Sequence, residues 1–195
     1  ILDQAKFIAF HRQTFPLDYL LIDDGWCTWG DWLTPNPVKF PHGLTWLVKQ
    51  LNSLGLKTGI WFAPLLAKSS SKLFHQHSDW FIPNLEGTQV SLLDIFIPDK
   101  RHVLDIQNPK VITYLDLVLN YLLDCGFDLL KLDFLYAGHF NPCFSSSDTP
   151  DNLLHNLLSK FSRDFYTIAC GCPLKPAVGA VNAMRISDDT VFPQL

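Results

Sequence analysis

Phe127-Asp128-Leu129-Leu130-Lys131-Leu132-Asp133 is an apolar run that stops at a carboxylate. The run reads as a buried strand. Upstream, Asn108-Pro109 opens a helix, with Asn as N-cap and Pro at the first helical position. Val111, Tyr114, Leu115, Val118 and Leu122 recur at helical spacing, and Gly126 ends the helix. The unit is therefore helix, glycine stop, strand, acid.

The same unit recurs in both directions. Asp18–Ile22 is a short apolar strand running into Asp23-Asp24-Gly25. Leu44, Leu47, Val48, Leu51 and Leu54 mark a helix that Gly55 stops, and Leu56–Phe62 is the next strand, closed by Pro64. A loop-rich stretch around Ser69–Ser71 leads to His102–Ile106, read as a further strand. Asn141–Pro150 is a polar loop, and Leu153, Leu154, Leu157, Leu158 and Phe161 mark another helix. Phe165–Ala169 is a strand ending at Cys170, and Asn182–Ile186 is the last, ending in Ser187-Asp188-Asp189. Such alternation argues for parallel strands joined by crossover helices. Polar or aromatic residues sit where strands end: Asp23/Asp24, Trp61, Asp105, Lys131/Asp133, Cys170 and Asp188/Asp189. A (β/α)8 barrel gathers strand ends on one catalytic face, whereas an open sheet collects its site at one switch point. The expected fold is thus α/β, a partial TIM barrel with roughly six of the eight strands such a barrel has. Residues 1–195 are expected to form a single catalytic barrel domain, incomplete by this strand count.

Composition narrows the function classes. Hydrophobic residues make up 48% and charged residues 17%, a globular balance. The net charge is −4 without a basic run, so neither nucleic acid nor an anionic membrane is an expected partner. No apolar stretch approaches the roughly 20 residues of a membrane helix. There is no G-x-G-x-x-G, P-loop or G-x-S-x-G, so no cofactor is expected and a serine hydrolase lacks support. His75 and His77 lack metal-ligand spacing, and no metal is expected. Glu86 is the only glutamate, so two-carboxylate chemistry must fall to aspartates. The five cysteines, Cys27, Cys125, Cys143, Cys170 and Cys172, fit no disulfide or zinc framework. Free thiols favour a reducing, cytoplasmic location.

The chemistry concentrates at a few positions. Lys131 lies two residues before Asp133 and so shares its strand face. A neighbouring ammonium favours an ionised carboxylate, and an ionised aspartate in a cleft can act as nucleophile. The pair is equally consistent with an ion pair inside a barrel. Asp188-Asp189 beside Arg185 suits a proton donor with its tuning partner, or a helix cap with a solvated neighbour. Asp23-Asp24-Gly25-Trp26 joins hydroxyl-accepting carboxylates to an aromatic, or forms a turn with a buried ring. Trp26, Trp29, Trp32 and Trp61 together suggest aromatic lining of a sugar pocket. Carboxylates, aromatic walls and no cofactor motif suit glycoside hydrolysis.

Several motifs occur in a fixed order: Asp23-Asp24-Gly25-Trp26, Gly30-Asp31-Trp32-Leu33, Lys39-Phe40-Pro41-His42-Gly43-Leu44, Gly59-Ile60-Trp61-Phe62-Ala63-Pro64, Leu104-Asp105-Ile106-Gln107-Asn108-Pro109, Lys131-Leu132-Asp133-Phe134, Cys170-Gly171-Cys172-Pro173-Leu174, and Met184-Arg185-Ile186-Ser187-Asp188-Asp189-Thr190. Together they make the chain resemble the α-galactosidases of glycoside hydrolase family 36, the melibiase barrel.

The resemblance implies that Asp133 is the nucleophile and Asp189, four residues after Arg185, the general acid/base. Asp23 and Asp24 would hold galactose hydroxyls, and Trp61, Lys131, Cys170 and Arg185 would complete the pocket. The implied reaction is double displacement on α-galactosides such as melibiose or raffinose, with carboxyls about 5–5.5 Å apart. Asp188 and Asp133 would raise the pKa of Asp189 while Arg185 opposes them. The family barrel has a further strand before the first residue and a final strand, with flanking β domains, that this segment lacks. Alone it is expected to be inactive and poorly soluble. Cys172 and Asp188 stand where relatives often carry other residues. The resemblance leaves open a raffinose-synthase-type galactosyltransferase, an α-N-acetylgalactosaminidase, a carbohydrate-binding remnant without turnover, and a homo-oligomer.

Overall fold

The computed structural model describes residues 1–83, 91–92, 100–140 and 149–187. The elements run α1 (Leu2–Phe10), β1 (Tyr19–Ile22), α2 (Gly43–Ser53), β2 (Lys57–Phe62), β3 (Leu66–Lys68), α3 (Lys72–Gln76), β4 (Ser91–Leu92) and β5 (Arg101–Val103). They continue with α4 (Pro109–Cys125), β6 (Leu129–Leu132), α5 (Pro150–Phe161), β7 (Tyr166–Ala169), α6 (Leu174–Ala177) and β8 (Ala183–Met184). A five-stranded sheet has the order β1-β2-β6-β7-β8, parallel at every pairing. Helices connect the strands, as the alternation requires for a partial α/β barrel.

The helices follow from local chemistry. Asn108 accepts a hydrogen bond from the Lys110 N–H, and Pro109 occupies the first turn of α4. Such a cap contributes about 1 kcal/mol. One stripe of α4 buries Val111, Leu115, Val118, Leu119 and Leu122. Gly126 closes the helix in the left-handed region, at φ 92°. Thr149 caps α5 by accepting from the Asn152 N–H, and that helix buries Leu154, Leu157, Leu158 and Phe161. These stripes cover the sheet. On the sheet, Gly59 sits in register between Leu21 and Leu129. A Cβ there would lie 2.8 Å from Leu129 Cδ2 and 3.0 Å from Leu21 Cδ1, so any side chain would make these leucines shift.

Five sequence-read strands appear within one or two residues of their expected ends. The sixth is corrected. His102–Ile106 was expected in the barrel sheet, but the strand covers Arg101–Val103 and pairs antiparallel with β3 and β4 in a separate three-stranded sheet. After β2 the chain turns at once, with Leu66 N–H donating to Ala63 C=O, and enters β3. Val103 and Leu104 are buried all the same, so their apolar run could not reveal which sheet it joins. The described barrel strands therefore number five. Helix α1 also went unread. Its Phe7 and Phe10 remain exposed, and only Ala5 is buried, so it carries no clear apolar stripe.

Gly126 allows a stability test. A Cβ there would meet Val48 Cγ1 at 3.2 Å and carry a left-handed backbone penalty. Gly126→Ala in the full-length protein is expected to cost about 1–2 kcal/mol. Gly126→Asn, whose residue type tolerates this region, should cost less. Urea denaturation followed by circular dichroism measures both, and equal stability of all three proteins would contradict the assignment.

Candidate functional site

Strand register builds the site. Ile22 pairs with Ile60, Trp61 with Lys131, and Lys131 with Ile168. Above the strands the ladder extends by one further bond each: Asp133 N–H to Phe62 C=O at 2.9 Å, Cys170 N–H to Leu132 C=O at 2.7 Å, and Arg185 N–H to Ala169 C=O at 2.9 Å. Alternation then places Trp61 and Lys131 in one tier, with Asp133, Cys170 and Arg185 two residues higher on the same face. Three crossovers separate these residues in sequence, and parallel pairing gathers them.

Asp133 is 7% exposed and held from both sides. Trp61 Nε1–H donates to Oδ2 at 3.0 Å, and the Phe134 backbone N–H donates to Oδ1 at 2.8 Å. Arg185 Nη2 lies 3.9 Å from Oδ1. Every one of these neighbours is a donor or a cation. Phe134 has a left-handed backbone, φ 55° and ψ 33°. For a bulky residue this conformation costs about 1–3 kcal/mol, a strain typical of functional positions.

Lys131 departs from the expected pairing. Its Nζ binds Asp23 Oδ2 at 2.7 Å. Burial pulls the Lys131 pKa down, but the hydrogen bond and charge of Asp23, with the charge of Asp133, outweigh it and leave the value raised. Lys131 therefore stays a cation, fixed to Asp23 and felt at longer range by Asp133. Asp24 is held separately. Trp29 Nε1–H donates to its Oδ1 at 2.6 Å, as does the Gly25 N–H at 2.6 Å. Asp23 and Asp24 remain exposed and offer their outer faces to a ligand.

The tryptophans are more deeply buried than an open sugar-binding wall would be. Trp26, Trp29, Trp32 and Trp61 are all at most 3% exposed. They pack on one another, with Trp29 and Trp61 centroids 4.9 Å apart and Trp32 and Trp61 6.0 Å apart. Trp26 Nε1–H donates to the Trp61 C=O at 2.8 Å. The cluster is a scaffold that aims the Trp61 and Trp29 indole N–H groups at two carboxylates. Cys170 is 2% exposed and lies close enough to Lys131 to add to its positive bias. Burial pushes the Cys172 thiol up to about 12, which leaves it protonated and inert.

The structure thus connects Asp23, Trp61, Lys131, Asp133, Cys170 and Arg185, and joins Asp24 to them through Trp29. Asp188 and Asp189 lie outside the described residues, as does Cys143. Asp105 accepts from the Gln107 N–H in the turn into α4. His77 stacks on Trp80 at 4.0 Å, in keeping with a packing role. Sequence reasoning missed the Phe134 N–H, although its residue closes the Lys131-Leu132-Asp133-Phe134 motif, and it missed Arg101 entirely. A cavity of about 990 Å³ runs from Asp23 and Asp24 along the free side of β1 beneath Phe7 and Ile8 of α1. Asp133 does not line it, so this space marks the unclosed side of the sheet more than the reacting centre.

Known proteins share this arrangement of strands. The solved α-galactosidase from Thermus thermophilus in complex with stachyose superposes with a TM-score of 0.82 at 30% identity, over 96% of this chain and 40% of that one. AgaA from Geobacillus stearothermophilus, an α-galactosidase, is 35% identical over 107 residues, 47% of this chain and 14% of its own. Alpha-galactosidase 2 from Pediococcus pentosaceus is 30% identical over 129 residues, 62% of this chain and 18% of its own. This chain therefore spans less than a fifth of these curated relatives. The family model described as Melibiase matches residues 3–139, more than half of the sequence, and the chain belongs to that family.

Proposed function

We propose that the protein is a retaining α-galactosidase and that residues 1–195 form the larger part of its catalytic barrel. One observation carries the reading. Asp133, at the end of a central parallel strand, is fixed by two N–H donors and faces Arg185. The Thermus relative has been solved with p-nitrophenyl α-D-galactopyranoside as well as stachyose, which supports an α-galactoside as the ligand. Asp23 and Asp24 accept hydrogen bonds from galactose hydroxyls, and Lys131 donates to them. Each of the three is already held by a neighbour, so little rotamer entropy is lost on binding.

The reaction proceeds in two displacements. Asp133 attacks the anomeric carbon and forms a galactosyl ester while the glycosidic bond breaks. Asp189 gives its proton to the departing oxygen. Asp189 then takes a proton from water, which attacks the same carbon and releases Asp133, so galactose leaves with its α configuration. Orientation of Asp133 matters most, because attack requires one carboxylate oxygen aligned with the breaking bond. Trp61 and Phe134 hold that orientation without covering the carboxylate with a competing acid.

Hydrolysis of p-nitrophenyl α-galactoside by the full-length protein tests the reading. Nitrophenol release is expected, with α-galactose as the first product seen by NMR. Asp133→Ala should fall by roughly a thousandfold or more in kcat while remaining folded. No release by the folded wild type, or release at the wild-type rate by Asp133→Ala, contradicts the proposal. Trp61→Phe keeps the ring packing but removes the N–H on Asp133. Loss of a hydrogen bond to a charged group is worth about 1.5–3 kcal/mol, so kcat should drop about ten- to hundredfold with little change in KM. A change confined to KM would place Trp61 in binding and not in nucleophile orientation.

A further inference from the structure

We propose that Arg101 is a positioning residue for both Asp24 and Asp133, acting through Trp29 and Phe134. The inference rests on the galactosidase reading and adds to it a residue outside the barrel sheet.

Arg101 lies on β5, in the antiparallel excursion, yet it is 2% exposed. Its guanidinium carbon is 4.3 Å from the Trp29 ring centroid and 5.3 Å from that of Phe134. Those two rings are themselves 5.2 Å apart. One planar cation therefore packs against two aromatic rings that already touch. Each ring leads to a carboxylate of the site: Trp29 donates to Asp24 at 2.6 Å, and the Phe134 N–H donates to Asp133 at 2.8 Å. The cross-strand partner of Arg101 is Lys68, whose Nζ is 5.6 Å from the same Trp29 ring. Like charges directly opposite on a ladder repel, and burial of a guanidinium is costly. Stacking of a flat, delocalised cation on an electron-rich face opposes both terms. Lysine presents a point charge and cannot lie flat against two rings at once.

The consequence is mechanical. Phe134 holds a strained left-handed backbone, which persists only where its surroundings over-determine it. Arg101 and Trp29 are the packing on its ring that fixes it from the β5 side. Without the guanidinium, the Phe134 N–H drifts from Asp133 and the Trp29 indole from Asp24. The first change lowers kcat and the second raises KM.

Arg101→Met and Arg101→Lys in the full-length protein test this, with p-nitrophenyl α-galactoside kinetics and near-ultraviolet circular dichroism at the tryptophan bands. Both variants are expected to keep the far-ultraviolet spectrum, lose much of the tryptophan signal, and fall about ten- to hundredfold in kcat/KM with both constants changed. If Arg101→Met does not fold, Arg101→Lys carries the test. Wild-type KM and kcat in Arg101→Lys overturn the proposal, even with a lower Tm, because a purely structural arginine would move Tm alone. If the wild type hydrolyses no α-galactoside, the galactosidase reading fails separately. The tryptophan bands then decide on Arg101: their loss supports the clamp and their persistence overturns it.

Discussion

The carboxylate of Asp133 accepts one hydrogen bond from across the sheet and one from its own chain, and the rest of the site is arranged around that fact. The cross-sheet donor is Trp61, set opposite Lys131 by the parallel register of β2 and β6. The local donor is the Phe134 N–H, on a residue whose backbone is left-handed. A slip of β2 against β6 by one residue would put Trp61 and Asp133 on opposite faces of the sheet. Below them Gly59 lies in register between Leu21 and Leu129, where a side chain would crowd both leucines. The buried tryptophan cluster then gives the Trp61 ring a single orientation.

Charge is divided between two carboxylate positions. Lys131 neutralises Asp23 by direct contact and reaches Asp133 only through space. Asp133 keeps its oxygens for N–H donors, with Arg185 at the margin of ion-pair distance. If Asp133 is the nucleophile we propose, direct contact with Lys131 would tie up the attacking oxygen. The observed arrangement supplies positive potential and leaves the carboxylate free to react, as preorganised catalytic electrostatics requires.

Much of this was legible in the sequence where local chemistry decides. Asn108-Pro109 and Gly126 announced the bounds of α4, and the apolar runs before Asp23, Asp133 and Cys170 announced strands whose ends meet. The same-face relation of Lys131 and Asp133 followed from strand alternation, but the partner of Lys131 did not, because Asp23 lies 108 residues away and only the closed register brings it near. His102–Ile106 looked like any other buried strand, since burial alone writes an apolar run and leaves sheet membership unstated. Four clustered tryptophans read as a sugar-binding wall, yet their rings are buried, and the N–H groups of Trp29 and Trp61 are spent on carboxylates. Arg101 gave no signal at all, because its role depends on two rings supplied by distant segments.

The central claim is that Asp133 forms a covalent bond to the sugar. An activated fluorinated α-galactosyl fluoride, which forms the glycosyl ester but slows its hydrolysis, addresses it directly with the full-length protein. Peptide mapping by mass spectrometry is predicted to find the added sugar on the peptide that holds Asp133, and fragmentation to place it on that side chain. A sugar attached to another residue, or time-dependent inactivation that persists in Asp133→Ala, would contradict the account.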